Sequence, residues 1–127
     1  MAANNNPIFT RTADIQWATA PLTAANTAKD GTGTVQTVFT AGSDGAFVER
    51  LIARAAGTNV QTVLRVFVNN GSANSSAANN KLIAEVTLPA TTLSETAATV
   101  DIQIPLNLRL AGGYKLLCVI GTAVSAG

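Results

Sequence analysis

The sequence predicts an all-β fold, an antiparallel β-sandwich in a single domain, and three observations carry that expectation. Short runs alternate apolar and polar residues at a period of two, most cleanly in Val100-Asp101-Ile102-Gln103-Ile104-Pro105-Leu106-Asn107-Leu108. Clusters of Gly, Asp and Asn punctuate the chain at short intervals, as turns do. No stretch sustains a helical period of about 3.6, and no alternation of strands with helices suggests a parallel sheet. A jelly roll of about eight short strands is the preferred topology, with an immunoglobulin-like sandwich as the alternative, because periodicity does not fix strand order.

From the N-terminus, residues 1–7 read as a flexible polar arm, and residues 8–127 as one sandwich domain. Pro7 has no N–H to give to a central strand. Ile8 to Trp17 alternates β-formers, with an irregularity near Thr12-Ala13-Asp14, and predicts a first strand. The loop Asn26 to Gly31 ends in an Asp-Gly turn signal, and Thr34 to Thr40 follows as a strand.

A second Asp-Gly turn at Asp44-Gly45 leads into Phe47 to Ala55. There Phe47, Leu51, Ala53 and Ala55 are expected inward and Arg50 and Arg54 outward, but Glu49 falls on the inward phase. That break allows a partly buried ion pair with Arg50, an error of phase, or an interface contact. Val60 to Val68 places Val60, Thr62, Leu64, Val66 and Val68 on one face and Gln61, Val63, Arg65 and Phe67 on the other. Apolar groups on both faces predict that both are covered, one by the opposite sheet and the other by a partner or a loop.

The run from Asn69 to Asn80, rich in Asn, Ser and Ala, is a low-complexity loop that cannot build a core. Lys81 to Leu88 is a strand closed by Pro89, and the Thr-rich residues after it are an extended connection or one helical turn. In Val100 to Leu108, Pro105 lies on the outward phase and marks an edge or a bulge. Ala111-Gly112-Gly113 turns the chain into an apolar strand from Tyr114 to Ile120, and a strand pattern still runs at Val124, as if the domain were not yet closed.

A chain of 127 residues suffices for one hydrophobic core. Charged residues make up 12% of it, about half the usual share, so its surface is neutral and a neighbour can cover it without desolvating many ions. A net charge of +1, with basic residues scattered apart from a loose group at Arg50, Arg54 and Arg65, gives no field to gather nucleic acid or an anionic membrane. The N-terminus has no basic and apolar leader pattern, and no stretch approaches the roughly 20 apolar residues of a membrane span. The expectation is a soluble protein made in cytoplasm. The single Cys118 sits in the apolar run Leu116 to Ile120 and reads as a small buried hydrophobe.

The sequence contains no histidine, which removes the usual general base near neutral pH, the commonest zinc and iron ligand, and every Ser-His or Cys-His nucleophile system. No enzymatic activity, metal site or cofactor is expected. Asp30 and Asp44 precede glycines and serve as turn formers; Glu85 and Asp101 fall on outward strand phases and read as solvated. Calcium would need an acidic cluster that the spacing does not provide. Trp17 and Tyr114 together could stack on a sugar, although core or interface anchoring is the stronger reading of Trp17.

Pro21 to Thr34, Ala55 to Gly71, Ile104-Pro105-Leu106 and Ala111 to Lys115 together resemble small proteins encoded among the head genes of tailed bacteriophages, specifically the capsid cement or decoration proteins. The resemblance covers most of the chain and rests on turns and strand phrasing, so it transfers no individual functional residue. It implies a jelly roll that clamps the outside of an HK97-type shell, with the major capsid protein as partner, a virion location and self-association as a dimer or trimer. The candidate contact residues are Asn4, Asn5, Asn6, Pro7 and Ile8 on the arm, Trp17 beyond it, the outward Arg50 and Arg54, Phe67 on the second apolar face, and Asn70 in the Asn-rich loop. A receptor- or glycan-binding module of a phage tail or adhesin is the alternative.

Overall fold

The computed structural model describes residues 14–127. Six strands account for the regular structure there: β1 (Gln36–Thr40), β2 (Ala46–Ala53), β3 (Thr62–Asn69), β4 (Asn80–Leu88), β5 (Ile102–Leu110) and β6 (Lys115–Ile120). A short 3-10 turn, Ala77–Asn79, precedes β4. Each strand begins and ends within a few residues of where the alternation placed it. The arm and most of the expected first strand lie outside the described residues. Asp14 to Trp17, the rest of that strand, is coil, and Gly121 to Gly127 adds no closing strand.

All pairings are antiparallel, and they nest: β1 with β6, β2 with β5, β3 with β4. A further ladder between β3 and β6 joins the outer and inner pairs into a sheet of order β1-β6-β3-β4, which faces the two-stranded sheet β2-β5. Nested pairs wound into two facing sheets are the scheme of a jelly roll, with three pairs among the described residues where a roll of eight strands has four. The main core lies between the sheets, with Leu64, Val66, Leu116, Cys118 and Ile120 from the larger meeting Ile104 and Leu110 from the smaller. Two strands cannot cover four completely. Ala84, Val86 and Leu88 on β4 pack against this core yet remain only half-buried.

The broken phase in β2 lies opposite a bulge in β5. Between the pairs Val48–Leu108 and Arg50–Pro105, Glu49 alone faces both Leu106 and Asn107, and Ala46 and Val48 point inward before the shift and Leu51 and Ala53 after it. One expectation is corrected as a result, since Phe47 faces out, 59% exposed; of the three readings of Glu49 the error of phase holds, for it is exposed and forms no ion pair among the described residues. Within the bulge, Asn107 of β5 takes a left-handed φ of 46°, a conformation that Asn tolerates better than most residues.

Both faces of β3 are covered, as its double apolar pattern requires. The outer face carries a second cluster of Phe67, Leu117 and Val119, against which Val35 packs. The chain preceding β1 provides this cover and is folded around one side chain. Asn26 Nδ2 donates to the carbonyls of Thr32 (2.8 Å) and Thr34 (2.7 Å), while Asn26 Oδ1 accepts from the amide of Ala28 (2.9 Å). The backbone amide of Asn26 is fixed to the carbonyl of Ile120 on β6. Within this stretch Asp30 Oδ1 accepts from both the amide and the hydroxyl of Thr32, and those bonds hold its carboxyl below the ordinary value.

The Asn-rich β3–β4 loop is fastened by its own amides. Asn69 and Asn80 are cross-strand partners, and Asn69 Nδ2 donates to Asn80 Oδ1 at 2.8 Å in a buried setting. Asn80 Nδ2 reaches the carbonyls of Asn74 and Ser76, and Asn74 Nδ2 reaches those of Gly31 and Gly33, tying the hairpin to the covering stretch. Gly31 has φ +79°, and a Cβ there would lie 2.7 Å from Asn80 Cβ, so conformation and space both demand glycine.

Candidate functional site

Five of the exposed large apolar residues gather at one flank of the sandwich, while Phe47, Leu82, Ile83 and Leu93 lie away from it. Ile15, Trp17, Ile52, Val60 and Val100 all line the mouth of a cleft of about 610 Å³ that runs between the two sheets. Its walls come from both sheets: Leu51 and Ala53 of β2 and Ile102 of β5 on one side, Val38, Leu64, Leu88, Cys118 and Ile120 on the other. The cleft reaches residues that are otherwise core, which follows from a two-stranded sheet facing a four-stranded one.

Extended coil from Ile15 to Leu22 forms one lip of the cleft and runs beside β1. Gln36 Nε2 donates to Thr19 Oγ1 at 3.0 Å, and the amide of Thr40 donates to Gln16 Oε1 at 3.4 Å. Those contacts fix the coil's direction while Ile15 and Trp17 turn outward, Trp17 being 76% exposed, and Leu22 packs against the core. The reading of Trp17 as a core residue is thereby excluded. Tyr114 packs against the main core instead of lining the cleft, so the two aromatics do not form one platform.

Arg50 and Arg54 stand at the same mouth. Arg50 Nη1 makes one long hydrogen bond, 3.4 Å to Gln103 Oε1, and Arg54 Nε lies 3.7 Å from Asp101 Oδ1 with both side chains well exposed. The outward phase expected for both arginines is therefore observed, whereas Asp101 is paired as well as solvated. The neutral polar side chains of the lining are all committed within the chain. Asn59 Nδ2 donates to the carbonyl of Gly127 and its Oδ1 accepts from the amide of Ala126; Thr62 Oγ1 exchanges bonds with the backbone of Thr122; Thr91 Oγ1 donates to the carbonyl of Gly57.

Three candidate contact residues, Trp17, Arg50 and Arg54, thus come together, although more than thirty positions separate the tryptophan from the arginines. Asn4, Asn5, Asn6, Pro7 and Ile8 lie outside the described residues. Phe67 is corrected: it is fully buried beneath the chain's own covering stretch and offers no surface to a partner. Asn70 is exposed, but its amide donates to Asn79 Oδ1 and its Oδ1 accepts from the amide of Ser72, so it first serves the hairpin. The rim residues Ile15, Ile52, Val60 and Val100 carried no separate signal. Each belongs to an ordinary strand pattern; Ile52 is exposed on the outward phase of β2, and the other three because the strands begin or end short of them.

One ion pair is closer to the interior than the alternation suggested. Arg65 on β3 is 9% exposed, its Nε lies 3.6 Å from Glu85 Oε1 on β4, and its Nη1 has no hydrogen-bond partner among the described residues. Glu85 keeps about half its side chain in solvent, so this is a one-sided, shielded pair. Among the described residues no group of three or more His, Cys, Asp or Glu converges, and no helix is long and apolar enough to cross a membrane. Comparison with protein-family models, with curated proteins and with solved structures returns no match.

Proposed function

We propose that this protein is a non-catalytic virion structural protein, a capsid cement or decoration protein that binds the major capsid protein on the outer surface of a tailed-phage head. The observation that carries the proposal is the flank itself: exposed Trp17, Ile15, Ile52, Val60 and Val100 beside Arg50 and Arg54, on a chain with 12% charged residues. Aromatic, aliphatic and arginine side chains are the composition of protein contact surfaces, and a charge-poor surround is cheap to desolvate. The phage-head phrasing of the sequence supplies the identity of the partner. In this reading the protein is made in the host cytoplasm, ends on the capsid, needs no cofactor, and engages neither nucleic acid nor membrane. Purified virions are expected to contain it in regular stoichiometry with the major capsid protein, and heads assembled without it to break at lower temperature. Its absence from virions contradicts the proposal.

A second reading draws on the exposure of Trp17, which leaves an aromatic face available next to Gln16 and Thr19. A tail-fibre or adhesin module would use that face to stack on a sugar. Glycan-array binding that is abolished by Trp17→Ala supports this reading, and an empty array removes it.

A further inference from the structure

We infer that the flank cleft is a binding site for an elongated apolar anion, with the hydrocarbon or aromatic body between the sheets and the anionic end at Arg50 and Arg54. The inference concerns a small ligand and stands independently of the capsid reading. Size is its first support, because about 610 Å³ lies within the range of roughly 300–1,000 Å³ typical of small-molecule sites. Chemistry is the second. Leu51, Leu64, Leu88, Ile102 and Ile120 offer aliphatic surface from both sheets, and Asn59, Thr62 and Thr91 are already bonded within the chain. A polar ligand body would find no partner there and would lose its hydration.

Charge is the third support. At the mouth the weakly engaged polar groups are two guanidinium groups, held by one contact of 3.4 Å to an amide and one of 3.7 Å to a carboxylate. Both are exposed, so an incoming carboxylate or sulfonate can replace water on either without breaking a short hydrogen bond. An apolar interior with cations at the rim selects an amphipathic anion over a neutral hydrocarbon and over a compact polar anion.

Two dyes that share a skeleton make the test. Anilinonaphthalenesulfonate carries a sulfonate, and N-phenylnaphthylamine lacks it. The intact chain, shown to melt cooperatively, is titrated with each while energy transfer from Trp17, its single tryptophan, is recorded. Both dyes are expected to bind once per chain with quenching of Trp17, and dodecanoate to displace the anionic one. Replacing Arg50→Gln and Arg54→Gln together weakens the anionic dye about tenfold and leaves the neutral dye within about twofold. Ala53→Leu, which adds bulk to the cleft wall, weakens both. The inference is overturned if neither dye binds stoichiometrically, or if the arginine variant loses both dyes equally or neither. Because the arginines are exposed, that variant keeps the fold and remains decisive should Ala53→Leu misfold.

Discussion

Asn69 and Asn80 meet across the β3–β4 ladder, and their buried amide bond closes a hairpin that composition alone marks as loose. Removing one amide strands the other in a dry setting, so Asn69→Ala is expected to cost about 1–3 kcal/mol in chemical denaturation. Asn70→Ala, one residue along but exposed, is expected to cost less than about 0.5–1 kcal/mol. The asparagines were legible as loop formers. Their mutual bonding was not, because it depends on a register that sets residue 69 opposite residue 80.

Cys118 is the other residue whose setting has consequences. Burial among Leu64, Val66 and Ile120 pushes its thiol up to about 12, from an ordinary value of 9.0. The folded protein therefore keeps its proton where the unfolded chain loses it. Its contribution to stability is intact below pH 9 and declines as pH rises toward 12. Between those limits the wild type is expected to lose melting temperature more steeply than Cys118→Ala. At pH 8 the native thiol is expected to react with a disulfide reagent only as fast as the core opens. The sequence did show this burial, since the apolar run around Cys118 has one reading in a sandwich.

At the level of elements, every strand with a free edge carries a device that discourages pairing. Register shifts interrupt β1 between Thr37 and Phe39 and β2 between Val48 and Arg50, and the shift between β3 and β4 leaves Ile83 of β4 without an opposite residue. In β5 the device is Pro105, which donates no hydrogen bond, beside the left-handed Asn107. Isolated sheet edges invite pairing between copies of a chain. These devices move any such contact from the edges to the flank or the faces. Pro105→Val is expected to leave the melting temperature nearly unchanged but to raise light scattering on heating.

The shift of phase in β2 has its own test. Leu51→Ala, on the inward phase, is expected to cost about 2 kcal/mol, and the outward Phe47→Ala within about 0.5 kcal/mol. An alternation that skipped the bulge would reverse their order for Phe47. All six strands were legible to within a few residues because one face of each is buried and the other wet, or, for β3 and β6, because both are apolar. Glu49 marked the bulge as a fault in phase without saying which side would give way.

For the whole molecule, the decisive feature is the mismatch between a four-stranded and a two-stranded sheet. Among the described residues it opens the cleft and brings exposed apolar and arginine side chains together from coil, β2 and the approaches to β3 and β5. Nested pairing follows from the order in which antiparallel strands can wind, but strand number and the uncovered flank depend on long-range packing that period-two patterns do not encode. That is why Trp17, Arg50 and Arg54 could be singled out separately while their convergence could not. The central claim, that this flank attaches the protein to a phage head, is tested most directly by co-sedimentation of the purified protein with heads that lack it. The wild type is expected to pellet to saturation with the heads, and Trp17→Ala and the double variant Arg50→Gln, Arg54→Gln to remain largely in the supernatant while melting as the wild type does. A wild type that stays in the supernatant, or flank variants that pellet as fully as it does, would contradict the account.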